Sequence, residues 1–336
     1  MKLLVTGGAG YIGAHLLVDL LSAGHDVVVV DDFSHGHPEA LARAEALSGK
    51  TCTFFEGSIA DAALLGHALA GVDAVIHLAA FKMVGESMER PERYFLNNVA
   101  GMSVLLHAMV DAGVRRFVYS SSAAVYGAQE VVPIREDAPL MPESPYGLSK
   151  AHGEAMLDWM AKLRHWSVVS LRYFNPVGAH ASGRIGQPFE EASSLVPRAL
   201  KALTDPGARL AIFGTDYPTP DGTCLRDYIH VCDLSRAHLL AMEALNVPGH
   251  RIWNVGTGNP HSVREVLSAC AKASGRPVPH LEGPRRQGDM AVSVADPRAF
   301  HQALGFTAEL GLDEMVASAW RWWSMNPHGY VGDSAE

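Results

Sequence analysis

The stretch that most restricts how this chain can fold lies near its start: Leu3-Leu4-Val5-Thr6-Gly7-Gly8-Ala9-Gly10-Tyr11-Ile12-Gly13. An apolar run ends in glycines at positions 7, 10 and 13, and a helical pattern follows. Glycine triplets recur in ordinary turns, but a strand before and a helix after make this one a dinucleotide cradle. Gly7 permits the tight turn, Gly10 lets backbone approach a pyrophosphate, and Gly13 lets the helix pack against the strand. The helix N-terminus then presents free N–H groups and a positive dipole end to the phosphates, and Tyr11 and Ile12, between the second and third glycines, are expected to join the cofactor site.

Further along, short β-branched runs alternate with helical patterns over the first 175 residues. Strands are expected at Lys2–Thr6, Asp26–Val30, Thr53–Phe55, Ala74–Leu78, Arg116–Ser120 and Ser167–Arg172. Helices are expected at His15–Ala23, Asn97–Ala112 and Ser149–Leu163. Continuous apolar strands such as Val28-Val29-Val30 imply a sheet covered on both faces. Alternation with helices implies parallel strands. The expected fold is α/β: a Rossmann-type doubly wound parallel sheet over residues 1–175, then a smaller C-terminal α/β substrate domain over 176–336. Segments around 226–245 are expected to pack back on the first domain.

Asp31 and Asp32 follow the second strand, where an acid hydrogen-bonds ribose hydroxyls and repels a 2′-phosphate. The expected cofactor is therefore NAD, with Asp31 nearer the strand end. Tyr146 and Lys150 stand four apart and share a helix face. A free tyrosine titrates at about 10 and must fall by several units to act as a base near neutrality. A lysine ammonium and a positive nicotinamide ring both push it down. Ser120-Ser121-Ser122 end a strand at the carboxyl edge of the sheet, where Ser122 can bond the reacting hydroxyl and share its proton with Tyr146.

Composition excludes other classes. The net charge of −9, with no basic run, argues against a nucleic-acid partner. No apolar run approaches the length of a membrane span, and the N-terminus does not read as a signal peptide. Cys52, Cys224, Cys232 and Cys270 form no C-x-x-C pair, which favours thiols in the cytoplasm over a disulfide framework. The 17 histidines lack metal-ligand spacing, so no metal is expected. His77 reads as structural, and Trp320, Trp322 and Trp323 read as packing for a last helix.

The residues resemble the extended short-chain dehydrogenase/reductase family, and within it the UDP-galactose 4-epimerase branch. The likeness runs through Thr6–Gly13, Val84–Ser87, Asn97–Val99, Ser120–Gly127, Tyr146–Lys150, Leu171–His180, Ala211–Gly214, Arg226–Val231 and Arg285–Asp289. It implies a tightly bound NAD that is not consumed, a UDP-sugar substrate and a homodimer, with the Asn97–Ala112 helix as the pairing face. Ser58, Ile59, Lys82, Asn97, Ser120 and Tyr173 would join the glycine loop, Asp31, Asp32, Tyr146 and Lys150 in lining the NAD site. Asn175, Ser194 and Leu195 would contact substrate, and Ala211, Ile212 and Phe213 would form the uracil slot. Arg226 and Arg286 would grip the diphosphate, and Asp289 the uridine ribose. The implied reaction is reversible 4-epimerisation through a 4-keto sugar.

Three positions depart from the family pattern. Ser58 replaces an aspartate that contacts adenine. Ser194 replaces an asparagine that contacts substrate. Ser293 occupies a gating position where relatives restricted to UDP-glucose and UDP-galactose carry tyrosine. A serine there opens volume near the sugar 2-position, so UDP-N-acetylglucosamine and UDP-N-acetylgalactosamine are expected to be accepted too. A 4,6-dehydratase is disfavoured because Ser122-Ala123-Ala124 offers no carboxylate. A 4-epimerase for UDP-glucuronate or a UDP-pentose stays open, as does, from another class, a non-catalytic NAD sensor.

Overall fold

A computed structural model describes residues 1–188, 193–286 and 289–330. In chain order its first half runs β1 (Lys2–Thr6), α1 (Tyr11–Ser22), β2 (Asp26–Asp31), α2 (Pro38–Ser48), β3 (Thr53–Glu56), α3 (Ala62–Ala68) and β4 (Ala74–His77). There follow α4 (Val84–Glu89), α5 (Pro91–Tyr94), a π-helical turn (Phe95–Gly101), α6 (Met102–Asp111), β5 (Arg116–Ser122), α7 (Pro145–Arg164) and β6 (Ser167–Tyr173). The second half contributes β7 (Asn175–Val177), α8 (Leu195–Thr204), β8 (Leu210–Phe213), β9 (Leu225–His230), α9 (Val231–Glu243), β10 (Gly249–Val255) and β11 (Pro260–Ser262). It ends with α10 (Val263–Ser274), β12 (His280–Gly283), β13 (Val292–Ser293), α11 (Arg298–Leu304) and α12 (Leu312–Met325).

The main sheet has seven strands in the order β10-β6-β5-β4-β1-β2-β3. Strands β1 to β6 pair in parallel, with Val5 beside Val29 and Ile76. This is the doubly wound arrangement: strand order reverses between β1 and β4, and ligands in such sheets bind beyond the carboxyl ends at that switch point. The strands read as apolar runs because helices cover both faces, and Leu3, Leu4, Val5, Val27, Val29 and Val30 are fully buried.

Contacts divide the chain into two units. The first holds Met1–Gly127, Pro139–Tyr173 and Ser235–Trp253, and the second holds Ala128–Ala138, Phe174–Leu234 and Asn254–Glu336. In the second, β9 is central: β11 pairs antiparallel on it, while β13 and β7 pair with it in parallel. Trp322 and Trp323 of α12 are buried there, and the Trp322 indole N–H donates to the Gln187 carbonyl at 2.9 Å.

Several boundaries differ from the sequence expectation for local reasons. Helix α1 begins at Tyr11, not His15, because Gly10 already serves as its N-cap. Helix α7 begins at Pro145, not Ser149. Ser144 caps it by accepting from the Gly147 N–H, and Pro145 occupies the first helical position, where its missing N–H costs nothing. The single helix expected over Asn97–Ala112 is a π-turn followed by α6. No helix among the described residues is long and apolar enough to cross a membrane.

Candidate active site

The glycine loop sits at the switch point. Gly7 has φ +73°, and a Cβ there would lie 2.6 Å from the Ala79 nitrogen, so the loops leaving β1 and β4 touch at this residue. A Cβ on Gly13 would lie 2.3 Å from the Gly7 oxygen, which fixes how closely α1 approaches the turn. Gly10 differs: its Cβ would meet only the Gly7 oxygen, at 3.4 Å. Its glycine is not required by packing, and the end of α1 that it caps carries no side-chain cap. An uncapped helix N-terminus behind a bare glycine suits a diphosphate.

Asp31 closes the loop from β2. Its carboxylate accepts from the Ala9 N–H and the Phe33 N–H, both at 2.9 Å, and holds Phe33 at φ +54°. Asp32 is exposed and accepts from the Ser34 N–H at 2.9 Å. Tyr11 is buried with its ring edge-on to His15. Ile12 is half-buried in the same turn. Ser58 is half-buried and accepts from the Ala60 N–H, while Ile59 belongs to the apolar core. Lys82 is exposed after β4, and Asn97 lies half-buried in the π-turn.

The acid/base candidates come together where β5 meets α7. Tyr146 lies in the first turn of α7, and Ser122 ends β5. One turn on, the buried Lys150 ammonium donates to the Ser120 carbonyl at 2.7 Å and lies 5.0 Å from the centre of the Tyr119 ring. Gly147, which composition gave no reason to single out, makes this approach possible: a Cβ there would lie 2.4 Å from the Ala124 oxygen. Burial raises the Tyr146 phenol above its ordinary value, against the lowering effect of Ser122. Burial also lowers the Lys150 amine to about 7, with the Glu154 carboxylate opposing. The protein alone therefore moves the phenol in the direction opposite to that expected from the Tyr/Lys pair, because desolvation outweighs the lowering effect of Ser122.

Around them lies a buried polar network. Glu154 takes a two-point contact from Arg172, at 2.9 and 2.6 Å, and accepts from the Ser121 hydroxyl at 2.5 Å. Tyr173 bonds His238. His77 bonds the Thr6 hydroxyl at 2.7 Å, and burial lowers it to about 3, so it is neutral and structural.

The second unit gathers the residues expected to hold substrate. Arg226 on β9 donates to the carbonyls of Leu225 and Met290, and its other nitrogen lies 3.6 Å from the Asp289 carboxylate. Arg286 donates to the same Asp289 oxygen at 2.8 Å, with its guanidinium 5.7 Å from the centre of the Phe213 ring. Ser293 on β13 is buried and stands directly beside Arg226 in the strand register. On β8, Ala211 and Phe213 share the accessible face, whereas the Ile212 side chain is buried on the other. Asn175 donates to the Asp227 carbonyl at 2.6 Å. Ser194 caps α8 without a side-chain bond, and Leu195 is that helix's first residue. Gln287 and Gly288, within the expected arginine motif, lie outside the described residues.

Sequence reasoning missed Asp227. Its carboxylate accepts from the N–H groups of Thr257, Gly258 and Ala295, and a Cβ on Gly256 would lie 2.5 Å from it. It fixes the backbone on either side of Arg226 and Ser293. Its place between Arg226 and Tyr228 was visible, but its partners lie 30 or more residues away in sequence.

Comparison with known proteins identifies the family and the fold. The model of the NAD dependent epimerase/dehydratase family matches residues 3–256. A UDP-glucose 4-epimerase of Bacillus subtilis is 46% identical over 98% of this chain and 99% of its own length. The structure of UDP-glucose 4-epimerase from Bifidobacterium longum in complex with NAD+ and UDP superposes with a TM-score of 0.93 at 41% identity, covering 98% of this chain and 100% of that one. A UDP-Glc/GlcNAc 4-epimerase from Campylobacter jejuni superposes with a TM-score of 0.85 at 35% identity, covering 96% and 99% of the two chains. The chain belongs to the NAD dependent epimerase/dehydratase family, among relatives that are UDP-glucose 4-epimerases.

Proposed function

We propose that this chain is an isomerase that interconverts UDP-galactose and UDP-glucose at carbon 4, with NAD as a retained cofactor, and that it also accepts the N-acetylated sugars. The observation that carries the reading is buried Lys150 one helical turn after Tyr146, its ammonium bonded to the Ser120 carbonyl near the carboxyl end of β5, the strand that Ser122 ends. An NAD sensor has no need of that trio. A dehydratase needs an acid, and Ser122-Ala123-Ala124 places none beside Tyr146.

The first unit's residues fit NAD: the bare N-terminus of α1 and Gly10 suit the diphosphate, and Asp31 suits the adenosine ribose. Tyr11, Ile12, Ser58, Ile59, Lys82, Asn97, Ser120 and Tyr173 would complete the site. When bound, NAD supplies a hydride acceptor at carbon 4 and, in its oxidised form, a positive ring that favours phenolate. Tyr146 removes the 4-hydroxyl proton and later returns it to the 4-keto sugar. Ser122 holds that hydroxyl, and Lys150 supplies positive charge beside the phenolate. In the second unit Arg226 and Arg286 hold the diphosphate, for which forked guanidinium donors are suited, while the sugar turns over to present its other face.

Ser293 supports the wider substrate range, since a serine leaves room that a tyrosine ring would fill. The Campylobacter jejuni relative is described as acting on both UDP-Glc and UDP-GlcNAc. Exposed Leu96, Trp159 and Leu163, on the π-turn and α7, support a homodimer. The four free thiols support a cytoplasmic location. Proton NMR of the purified protein with UDP-galactose, and separately with UDP-N-acetylgalactosamine, tests the reading. Formation of both gluco epimers is expected. Turnover of neither, with NAD bound, overturns it.

A further inference from the structure

Resting on the reading of Arg286 and β8 as the uridine diphosphate site, we propose that Arg285 is a positioning residue for that site and acts through Asp216 and Tyr217. Strands β8 and β12 form a two-stranded ribbon, in register from Leu210 beside His280 to Phe213 beside Gly283. A pair of strands this short holds weakly alone. One further bond, from the Gly214 N–H to the Gly283 carbonyl at 2.9 Å, ends the ladder. Phe213, of the uracil slot, and Arg286, of the diphosphate grip, stand on opposite strands at or just past this end, with the guanidinium 5.7 Å from the ring centre. Their spacing therefore depends on what holds the two exits together.

Arg285 supplies that link. Its Nε donates to the Asp216 carboxylate at 2.8 Å, and its Nη2 donates to the Asp216 main-chain carbonyl at 2.6 Å. The guanidinium carbon lies 4.3 Å from the centre of the buried Tyr217 ring. Gly214 lets the side chain pass: its φ is +80°, and a Cβ there would lie 2.5 Å from the Tyr217 ring and 2.7 Å from Arg285 Cγ. The two neighbouring arginines thus have different tasks. Arg286 turns to Phe213 and Asp289, and Arg285 turns to the loop that follows β8. The Arg285 and Asp216 side chains are 46% and 73% exposed, so their ion pair adds little to stability. Its worth lies in direction. A planar fork can meet a carboxylate, a carbonyl and a ring face at once, and a lysine cannot. Anchors held in place before the ligand arrives lower the ordering cost of binding.

The test uses the full-length, NAD-loaded protein carrying Arg285→Lys, Asp216→Ala or both, titrated with UDP by calorimetry and assayed with UDP-galactose. Each single variant is expected to bind UDP about fivefold or more weakly and to raise KM more than it lowers kcat, with the thermal midpoint within about 3 °C of the parent. The double variant is expected to bind no more weakly than the poorer single, because both residues serve one clamp. Asp216→Ala separates positioning from plain charge. Loss of a carboxylate near an anion site would by itself tighten UDP binding, so weaker binding supports the clamp, and tighter or unchanged binding overturns it. Parental UDP affinity in Arg285→Lys also overturns it, because charge alone would then suffice. If the parent binds UDP but epimerises no UDP-sugar, the activity reading fails and the same affinities decide the clamp. A parent that binds no UDP overturns both.

Discussion

The Lys150 ammonium donates to the main-chain carbonyl of Ser120 at 2.7 Å, in a place where its side chain is almost wholly buried. Lysine is held where its charge is costly. Burial lowers its pKa to about 7 from 10.5, and Glu154 only partly resists.

That shift has a defined effect on stability. Between about pH 7 and 10.5 the unfolded chain binds the proton that the folded chain has given up, so stability rises with pH there, by up to about 1.4 kcal/mol per unit. Below about pH 7 the penalty stands in full. Lys150→Met removes this titration. The nucleotide-free variant is expected to gain most over the parent at about pH 6 and to lose that margin toward about pH 9. Urea midpoints at the two pH values check it. A margin that does not vary with pH would mean that burial does not hold Lys150 down. Activity with UDP-galactose is expected to fall sharply in either case.

Gly10 and Gly13 make opposite predictions from one motif. A methyl on Gly13 meets backbone at 2.3 and 2.6 Å, so something rigid must shift, at a cost of about 1–3 kcal/mol or more. A methyl on Gly10 meets nothing of the protein closer than 3.4 Å. Gly10→Ala should unfold within about 1 kcal/mol of the parent yet bind NAD at least about tenfold more weakly. Calorimetric titration with NAD decides the matter. Undiminished affinity in Gly10→Ala would place the diphosphate elsewhere.

The contrast between these glycines also marks what a sequence can reveal. Local rules carried the first unit. The spacing of Gly7, Gly10 and Gly13, the valines of β2, and Tyr146 four before Lys150 each express the geometry of one turn, strand or helix. Contacts that depend on distant partners were not legible. Gly147 matters because the Ala124 carbonyl lies against it, Asp227 because amides at 257, 258 and 295 converge on it, and Asn98 because Phe81 and Ser149 flank it. The start of α7 was readable in Ser144-Pro145, a cap and first-turn pair, but the apolar periodicity begins later and drew the boundary to Ser149. The π-turn has no helical-period signature of its own.

Asp289 joins two arginines through one carboxylate oxygen, at 2.8 Å from Arg286 and 3.6 Å from Arg226. Arg286 is largely exposed, so the pair adds little to stability, and its value lies in aiming the guanidinium. Asp289→Asn keeps the shape and removes the charge. The expected result is UDP binding weakened about tenfold, with KM for UDP-galactose raised more than kcat is lowered. Tighter UDP binding in the variant would show that Asp289 restrains the arginines and does not hold the ribose.

Ser293 offers the sharpest separation between substrates. It is buried on β13 and in register with Arg226, so its side chain stands beside a residue proposed to hold the diphosphate. A tyrosine at this position must send its ring toward whatever space the serine leaves. If that space receives the sugar 2-substituent, Ser293→Tyr excludes an acetamido group and spares a hydroxyl. Misfit of a bulky group in a filled pocket typically costs a factor of about ten to two hundred. The expected result is epimerisation of UDP-N-acetylgalactosamine reduced at least about tenfold, with UDP-galactose changed by no more than about threefold. Competing the two substrates against one another in a single NMR tube gives the ratio directly. Equal loss on both would mean that the ring disturbs Arg226 through the shared strand pairing, and Ser293 would then be no gate.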